Sequence, residues 1–363
     1  MGNKASKPLE VEAPVAATPA MESWGEAPSR IPDDERDGSE LVIQSWVFCK
    51  AKPAAVKHHR SDDEERKRRQ ALRWRKRSSF IELDCGEDSF FVSNTYKSIG
   101  MADGVGGWKD YGVDPSLFSN ALMENAKRYS ETHRTETNPE TILSHAYDRV
   151  VSEKKVDAGS STAICATLTK EGTKHFINVA NIGDSGLMVV RNRNILHRVH
   201  ELVHSFNAPF QLAVLPKGMR NAFSDRVSDA IRDRIEVQYG DVVVMGTDGL
   251  FDNRFNTQIA ADAGWVGKTE ISSMSKIPFV GAMLSTVFAQ QEQEVDHIDP
   301  YRVATRIVHE AYQTALSKDS NSPWADMLRQ SGVEGAKGGK VDDVTVLLGR
   351  ITTRDEANMN ISW

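Results

Sequence analysis

Ile99-Gly100-Met101-Ala102-Asp103-Gly104-Val105-Gly106-Gly107-Trp108 is the stretch from which the fold is read. An apolar run of strand length ends on one aspartate, and glycine-rich backbone follows at once. Glycine permits a sharp turn and lets main-chain carbonyls come close to a ligand. A carboxylate at such a strand end offers oxygen to a hard cation. Alone the pair is ambiguous, because Asp-Gly is also a common hairpin dipeptide. Three further stretches repeat the theme. Asp241-Val242-Val243-Val244-Met245-Gly246-Thr247-Asp248-Gly249-Leu250 delivers a second Asp-Gly pair, and Asp342-Asp343 precedes the strand Val344-Thr345-Val346-Leu347-Leu348. Glu87-Asp88 lies between Phe80-Ile81-Glu82-Leu83 and Phe90-Phe91-Val92. Clustered acids cost free energy unless cations neutralise them. The residues therefore point to an oxygen-lined divalent metal site.

Outward from these strands, Asp114-Pro115 opens a helix with Leu117, Phe118, Ala121, Leu122 and Tyr129 on one face. Asn138-Pro139 opens another, as cap and first helical residue, with Ile142, Leu143, Ala146, Tyr147 and Val150 inward. Residues 160–169 and 175–182 read as a hairpin around Lys170-Glu171-Gly172-Thr173, and 187–191 and 195–199 continue the β pattern. Asp299-Pro300 starts a later helix through Val303, Ile307, Val308, Ala311 and Ala315. Strands grouped in hairpins with helices on either side predict an α+β fold of antiparallel sheets covered by helices.

The order Glu-Asp, Asp-Gly-x-Gly-Gly, Gly-Ser-Ser-Thr-Ala, Gly-Asp-Ser, Thr-Asp-Gly-Leu-Phe-Asp and Asp-Asp-Val-Thr-Val resembles the metal-dependent protein phosphatases of type 2C along residues 78–352. Ala102–Trp108, Phe206-Asn207-Ala208-Pro209-Phe210-Gln211-Leu212 and Ser322-Pro323-Trp324-Ala325 resemble the T-cell-activation (mitochondrial-type) branch. The resemblance implies an α/β/β/α sandwich of two antiparallel sheets with a metal cleft at one end. It also implies a protein serine/threonine phosphatase with a binuclear Mg²⁺ or Mn²⁺ centre and a metal-activated water acting on phosphorylated proteins. Two cations suit a dianionic ester whose uncatalysed hydrolysis is very slow. Oxygen-only ligands suit Mg²⁺ or Mn²⁺ better than zinc.

Carried over by that resemblance, Asp103 bridges the two ions and the Gly104 carbonyl ligates one. Asp248 and Asp342 hold the first ion, Glu87 the second, and Asp88 acts through metal-bound water. Asp103, Asp248 and Asp342 are thus the catalytic candidates. A third ion would involve Asp157 or Asp252, each of which also reads as a plain loop acid, while Asp184-Ser185 reads as a turn. Two positions depart from the family. Val105 stands where better-studied members have a histidine after Asp-Gly, and Leu83 where they have a phosphate-binding arginine. Lys97, Lys109 and Arg254 are the candidates for the missing phosphate clamp.

The 363 residues, net charge −6, suit one large domain with extensions and argue against a nucleic-acid partner. A nucleic-acid adaptor would rest on residues 66–77 alone. A catalytically silent scaffold is the alternative reading. It predicts losses among the metal acids, and none is lost. Cys49, Cys85 and Cys165 have no metal-ligand spacing and no disulfide framework, which favours a reducing intracellular compartment. Ile277–Ala289 is too short to span a bilayer and reads as a core helix.

Residues 1–77 are assigned to a leader, disordered over the first forty or so, and 353–363 to a C-terminal tail. Glu10, Glu12 and Asp33-Asp34-Glu35 speak against a mitochondrial transit peptide. Met1-Gly2-Asn3-Lys4-Ala5-Ser6 fits N-myristoylation at Gly2. Residues 62–77 place acids four positions before bases, as in a solvated helix, and the basic run Arg66–Arg77 could also touch anionic lipid. The expectation is a monomer held at the cytoplasmic face of a membrane.

Overall fold

Val242-Val243-Val244-Met245 is apolar at every position because both faces of its strand are covered. Val243 and Met245 pack with Ile43, Ile99, Met101, Ile164, Leu187 and Leu347 in a core between two sheets. Val242 and Val244 face the other way, into a core with Leu250, Ile259, Val303, Ile307 and Val308. A third core joins Phe91, Ala102, Cys165 and Ala180 to Phe118, Leu122, Ile142 and Leu143. Three cores in succession separate four layers, helix, sheet, sheet, helix.

The computed structural model describes residues 40–53, 84–219, 222–266 and 299–359. In chain order these form β1 (Leu41–Lys50), β2 (Asp88–Val92), β3 (Ser98–Asp103), α1 (Ser116–Thr132), α2 (Pro139–Glu153) and β4 (Gly159–Ser161). Next come β5 (Ala163–Glu171), β6 (Lys174–Ile182), β7 (Gly186–Arg191), β8 (Asn194–Arg198), β9 (Val203–Ser205), β10 (Ala208–Pro209), β11 (Leu212–Val214), β12 (Ile231–Val237) and β13 (Val242–Gly246). The chain continues through α3 (Asp248–Phe251), α4 (Asn256–Ala263), α5 (Pro300–Leu316), α6 (Pro323–Gln330), β14 (Val344–Thr353) and α7 (Arg354–Met359). One sheet runs β1-β14-β13-β7-β8 and the other β12-β6-β5-β3-β2, with antiparallel pairing throughout. The expected sandwich of antiparallel sheets flanked by helices is the observed one.

Local chemistry explains the helix starts. Asn138 accepts from the Glu140 N–H at 2.9 Å and Asp299 from the Tyr301 N–H at 2.9 Å, each just before a proline in the first turn. Asn192 and Arg193 both take positive φ, the geometry of a tight hairpin between β7 and β8.

Three sequence expectations need correction. Leu41–Lys50 belongs to the sheet, not to the leader. It pairs with β14 from Leu41 opposite Thr353 to Lys50 opposite Val344, and buries Val42 and Ile43. Arg354, assigned to a tail, is buried and bonded to Glu40 at 2.8 Å. Cys49 and Cys85 form a disulfide, Cα to Cα 5.0 Å, joining the end of β1 to the loop before β2; Cys165 is a buried free thiol. Gly2, the charged run 62–77, Leu83 and Ile277–Ala289 lie outside the described residues. Among the described residues no helix is long and apolar enough to cross a membrane.

Candidate active site

The register of β2 against β3 sets Asp88 opposite Asp103, so two acids share one strand end. Asp88 is fully buried and reaches across to the other sheet. Its Oδ2 accepts from Thr247 Oγ1 at 3.0 Å and Thr345 Oγ1 at 2.6 Å. Thr247 follows β13 and Thr345 lies in β14, beside Asp248 and Asp342-Asp343. Asp88 thus ties the two sheets together at the end where the acids meet.

The remaining motifs brace that junction. The Asp103 N–H donates to Thr162 Oγ1 at 3.2 Å, and the Thr162 N–H donates to the Asp103 carbonyl at 2.9 Å. Trp108 Nε1 donates to Ser160 Oγ at 2.6 Å, and Ser160 donates to Gln211 Oε1 at 2.6 Å. The glycines of both Asp-Gly pairs are there for want of room. A β-carbon on Gly104 would lie 2.6 Å from the Pro115 carbonyl oxygen, and one on Gly249 1.9 Å from that of Asp343.

Charge at the site is shared between acids and lysines. Lys52 Nζ lies 2.7 Å from Asp342 and 3.1 Å from Glu87. Lys109 pairs with Glu87. Lys340 pairs with Asp248 and lies 3.0 Å from Asp252 and 3.7 Å from Asp342. Asp343 clamps the loop: its carboxylate accepts from the Lys52 N–H at 2.8 Å and the Glu87 N–H at 3.0 Å.

Burial, then the neighbouring acids, pushes Asp88 and Asp103 well above the usual carboxylate range. Burial raises Asp342 and Asp184 as well, with Asp248 adding to it. Asp252 is pushed up to about 7 by burial, against the pull of Lys340. Asp248 moves the other way: burial opposes its charge, but Lys340 outweighs that and holds it ionised.

Glu87, Asp88, Asp103, Asp248 and Asp342, expected from the sequence, are brought together by these bonds and charges. The Gly104 N–H donates to the Glu87 carbonyl at 3.2 Å, which keeps its backbone in the same cluster. Asp157 is exposed at the start of β4, and the acids acting most strongly on Asp103 are Asp248, Asp88, Asp342 and Asp184. Asp184, read as a turn residue, therefore belongs to the cluster, and Asp252 joins it through Lys340. Of the clamp candidates only Lys109 is present. Lys97 is bound to Glu40 at 2.8 Å, and Arg254 is taken by Asp262 at 2.7 Å and by Glu310. Sequence reasoning missed Lys52, which follows a strand not recognised as one, and Lys340, two residues before Asp342.

Among the described residues no group of three or more His, Cys, Asp and Glu is already gathered as a metal cage. The donors nevertheless suit hard cations. All are oxygen, and one carboxylate oxygen each of Asp88, Asp184 and Asp248 is buried without a hydrogen-bond partner.

No family model matches the chain. The chain is 35% identical over 275 residues to the protein phosphatase PTC7 homolog fig of Drosophila mojavensis, covering 75% of this chain and 80% of that one. It is 36% identical over 267 residues to the protein phosphatase PTC7 homolog of Xenopus laevis (72% and 80%), and 34% over 267 residues to that of Homo sapiens (72% and 78%). The solved structure of the photosystem II phosphatase PBCP superposes with a TM-score of 0.59 at 22% identity, covering 85% of this chain and 99% of that one, a likeness of fold. On the strength of its relatives, the chain belongs to the PTC7 homologues of the PP2C-type protein phosphatases and is a protein phosphatase.

Proposed function

We propose that the enzyme hydrolyses phosphoserine and phosphothreonine in proteins with two Mg²⁺ or Mn²⁺ ions held where the two sheets meet. The observation that carries this reading is the convergence of Glu87, Asp103, Asp248 and Asp342, with buried carboxylate oxygens nearby that no hydrogen bond satisfies. Bound there, the ions would supply an activated water and screen the phosphoryl oxygens. Asp103 is the acid suited to be shared, since it stands opposite Asp88 and also feels Asp248 and Asp342. Thr247 and Thr345 hold the Asp88 carboxylate in orientation. Lys109, paired with Glu87 and about half exposed, is the basic group suited to drawing a phosphate to the rim.

The motifs at 102–108, 206–212 and 322–325 support a place in the T-cell-activation branch. Membrane attachment through Gly2 and the run 66–77 rests on sequence pattern alone.

The test is hydrolysis of matched phosphothreonine and phosphotyrosine peptides after chelation and after adding back Mn²⁺. We expect the phosphothreonine peptide to be hydrolysed only with the metal. Full activity in excess chelator, or preference for phosphotyrosine, would overturn the reading.

A further inference from the structure

Three carboxylates, Asp248, Asp252 and Asp342, lie within ion-pair distance of one ammonium group, that of Lys340, and a fourth, Asp184, has a buried unpartnered oxygen and feels the same charge. Two of them, Asp184 and Asp252, are not needed by the two-ion scheme above. A corner with so many buried acids needs positive charge, and a third divalent ion would be the ordinary way to supply it. Here the chain supplies it.

Lys340 is fixed in this corner from several sides. Its N–H donates to Asn253 Oδ1 at 2.9 Å, and Asn253 Nδ2 returns a bond to the Lys340 carbonyl at 2.9 Å. Asn253 is itself anchored to the Gly249 carbonyl at 3.0 Å, next to Asp248. Gly339 lets the loop pass this close: a β-carbon there would lie 2.4 Å from Asn253 Oδ1 and 2.3 Å from the Thr314 carbonyl oxygen. The side chain is 15% exposed, and the ring of Trp324 covers its ammonium at 5.3 Å. An ammonium offers three donors, enough for Asp248 and Asp252 with one to spare. Lys52 is a different case, since Glu87 and Asp342, its nearest acids, are themselves assigned to the two ions.

We propose that the Lys340 ammonium is the resident cation of the Asp184–Asp248–Asp252 corner, so that the enzyme takes up two divalent ions where its acids would otherwise take three. The proposal rests on the reading that Glu87, Asp103, Asp248 and Asp342 hold two ions. Lys340 thereby acts as a positioning residue. It orients Asp248, which serves both corners, without needing a metal from solution.

The test is the number of Mn²⁺ ions bound by the full chain, measured by titration calorimetry and by the electron paramagnetic resonance of free Mn²⁺ after chelation and dialysis. Wild type should bind two. Lys340→Met removes the charge and keeps the chain length, and it should bind three. Lys340→Arg keeps the charge and should bind two. Asp184→Asn combined with Lys340→Met should return the count to two. Circular dichroism checks that each variant is folded; if Lys340→Met does not fold, Lys340→Gln takes its place. Three ions in wild type, or no added ion in either uncharged variant, would overturn the proposal while leaving the two-ion reading standing. A wild type that binds no Mn²⁺ would overturn both.

Discussion

The two Asp-Gly pairs look alike in sequence and behave differently in the molecule. Asp103-Gly104 closes β3 on one sheet, and its carboxylate is surrounded by other acids: Asp88 opposite, with Asp248, Asp342 and Asp184 beyond. Asp248-Gly249 opens α3 on the other sheet, and its carboxylate is held ionised by Lys340. Each glycine is required by a backbone oxygen that leaves no room for a β-carbon. The contrast is one of charge, not of shape. Asp248 has a lysine directly against its carboxylate, whereas the strongest influences on Asp103 besides burial are other acids.

Asp103→Asn should break the contrast most, because it removes a carboxylate with which no lysine forms an ion pair among the described residues. Turnover should fall on the order of 100-fold or more, while Asp157→Asn, at an exposed loop acid, leaves it unchanged. Steady-state kinetics at saturating Mn²⁺ would separate the two, and an active Asp103→Asn enzyme would remove Asp103 from the metal site.

A pH series without metal would sharpen it. Asp88, Asp103 and Asp342 titrate above their ordinary range and Asp252 at about 7. Acids raised in the folded state stabilise it fully below the ordinary carboxylate value of 3.8 and lose that contribution as pH rises through the raised value. Asp248 has the opposite sign, contributing above the ordinary value and losing it as pH falls. At the cleft the raised groups outnumber it, and Glu40, Glu140, Glu153 and Glu310, which share its sign, lose their contribution only as pH falls below their ordinary value of 4.5. In chelator the melting temperature should therefore fall between pH 4 and pH 7, and saturating Mn²⁺ should abolish the fall. A melting temperature in chelator that is flat or rises over this window would contradict the charge assignment.

The smallest effect is expected at the tie between the sheets. Thr345→Val removes the 2.6 Å donor from buried Asp88 and should cost about 1–3 kcal/mol of stability, measured by denaturant unfolding. No loss would mean that Asp88 is satisfied in some other way.

Asp103, Asp248 and Asp342 were legible because each is delivered by its own strand, and strand ends show in a run of side chains. Val243 and Val244 could be recognised as buried, but not assigned to separate cores, since an apolar run does not reveal which layer lies on which side. Leu41–Lys50 was missed because its partner strand lies some 300 residues later, and the charged run 62–77 separates it from the rest of the domain. Lys52 and Cys49 were lost with it. Gly-Asp-Ser at Asp184 reads as a turn from sequence, and only its burial and the charges of Asp248 and Lys340 give it another role.

Placing β1 in the sheet brings the end of β1 against the loop before β2. The chain leaves the fold at Lys52, whose ammonium touches Asp342, and re-enters at Asp84, whose carbonyl accepts from the Ala51 N–H at 2.9 Å. The Cys49–Cys85 bridge, 36 residues apart in sequence, seals that exit and entry covalently. The described residues on either side of positions 54–83 are therefore held together beside Glu87 and Asp342. The junction closes one edge of the sheet beside the acids, so cutting the bridge would leave it to the Ala51–Asp84 hydrogen bond and the Lys52 ion pairs.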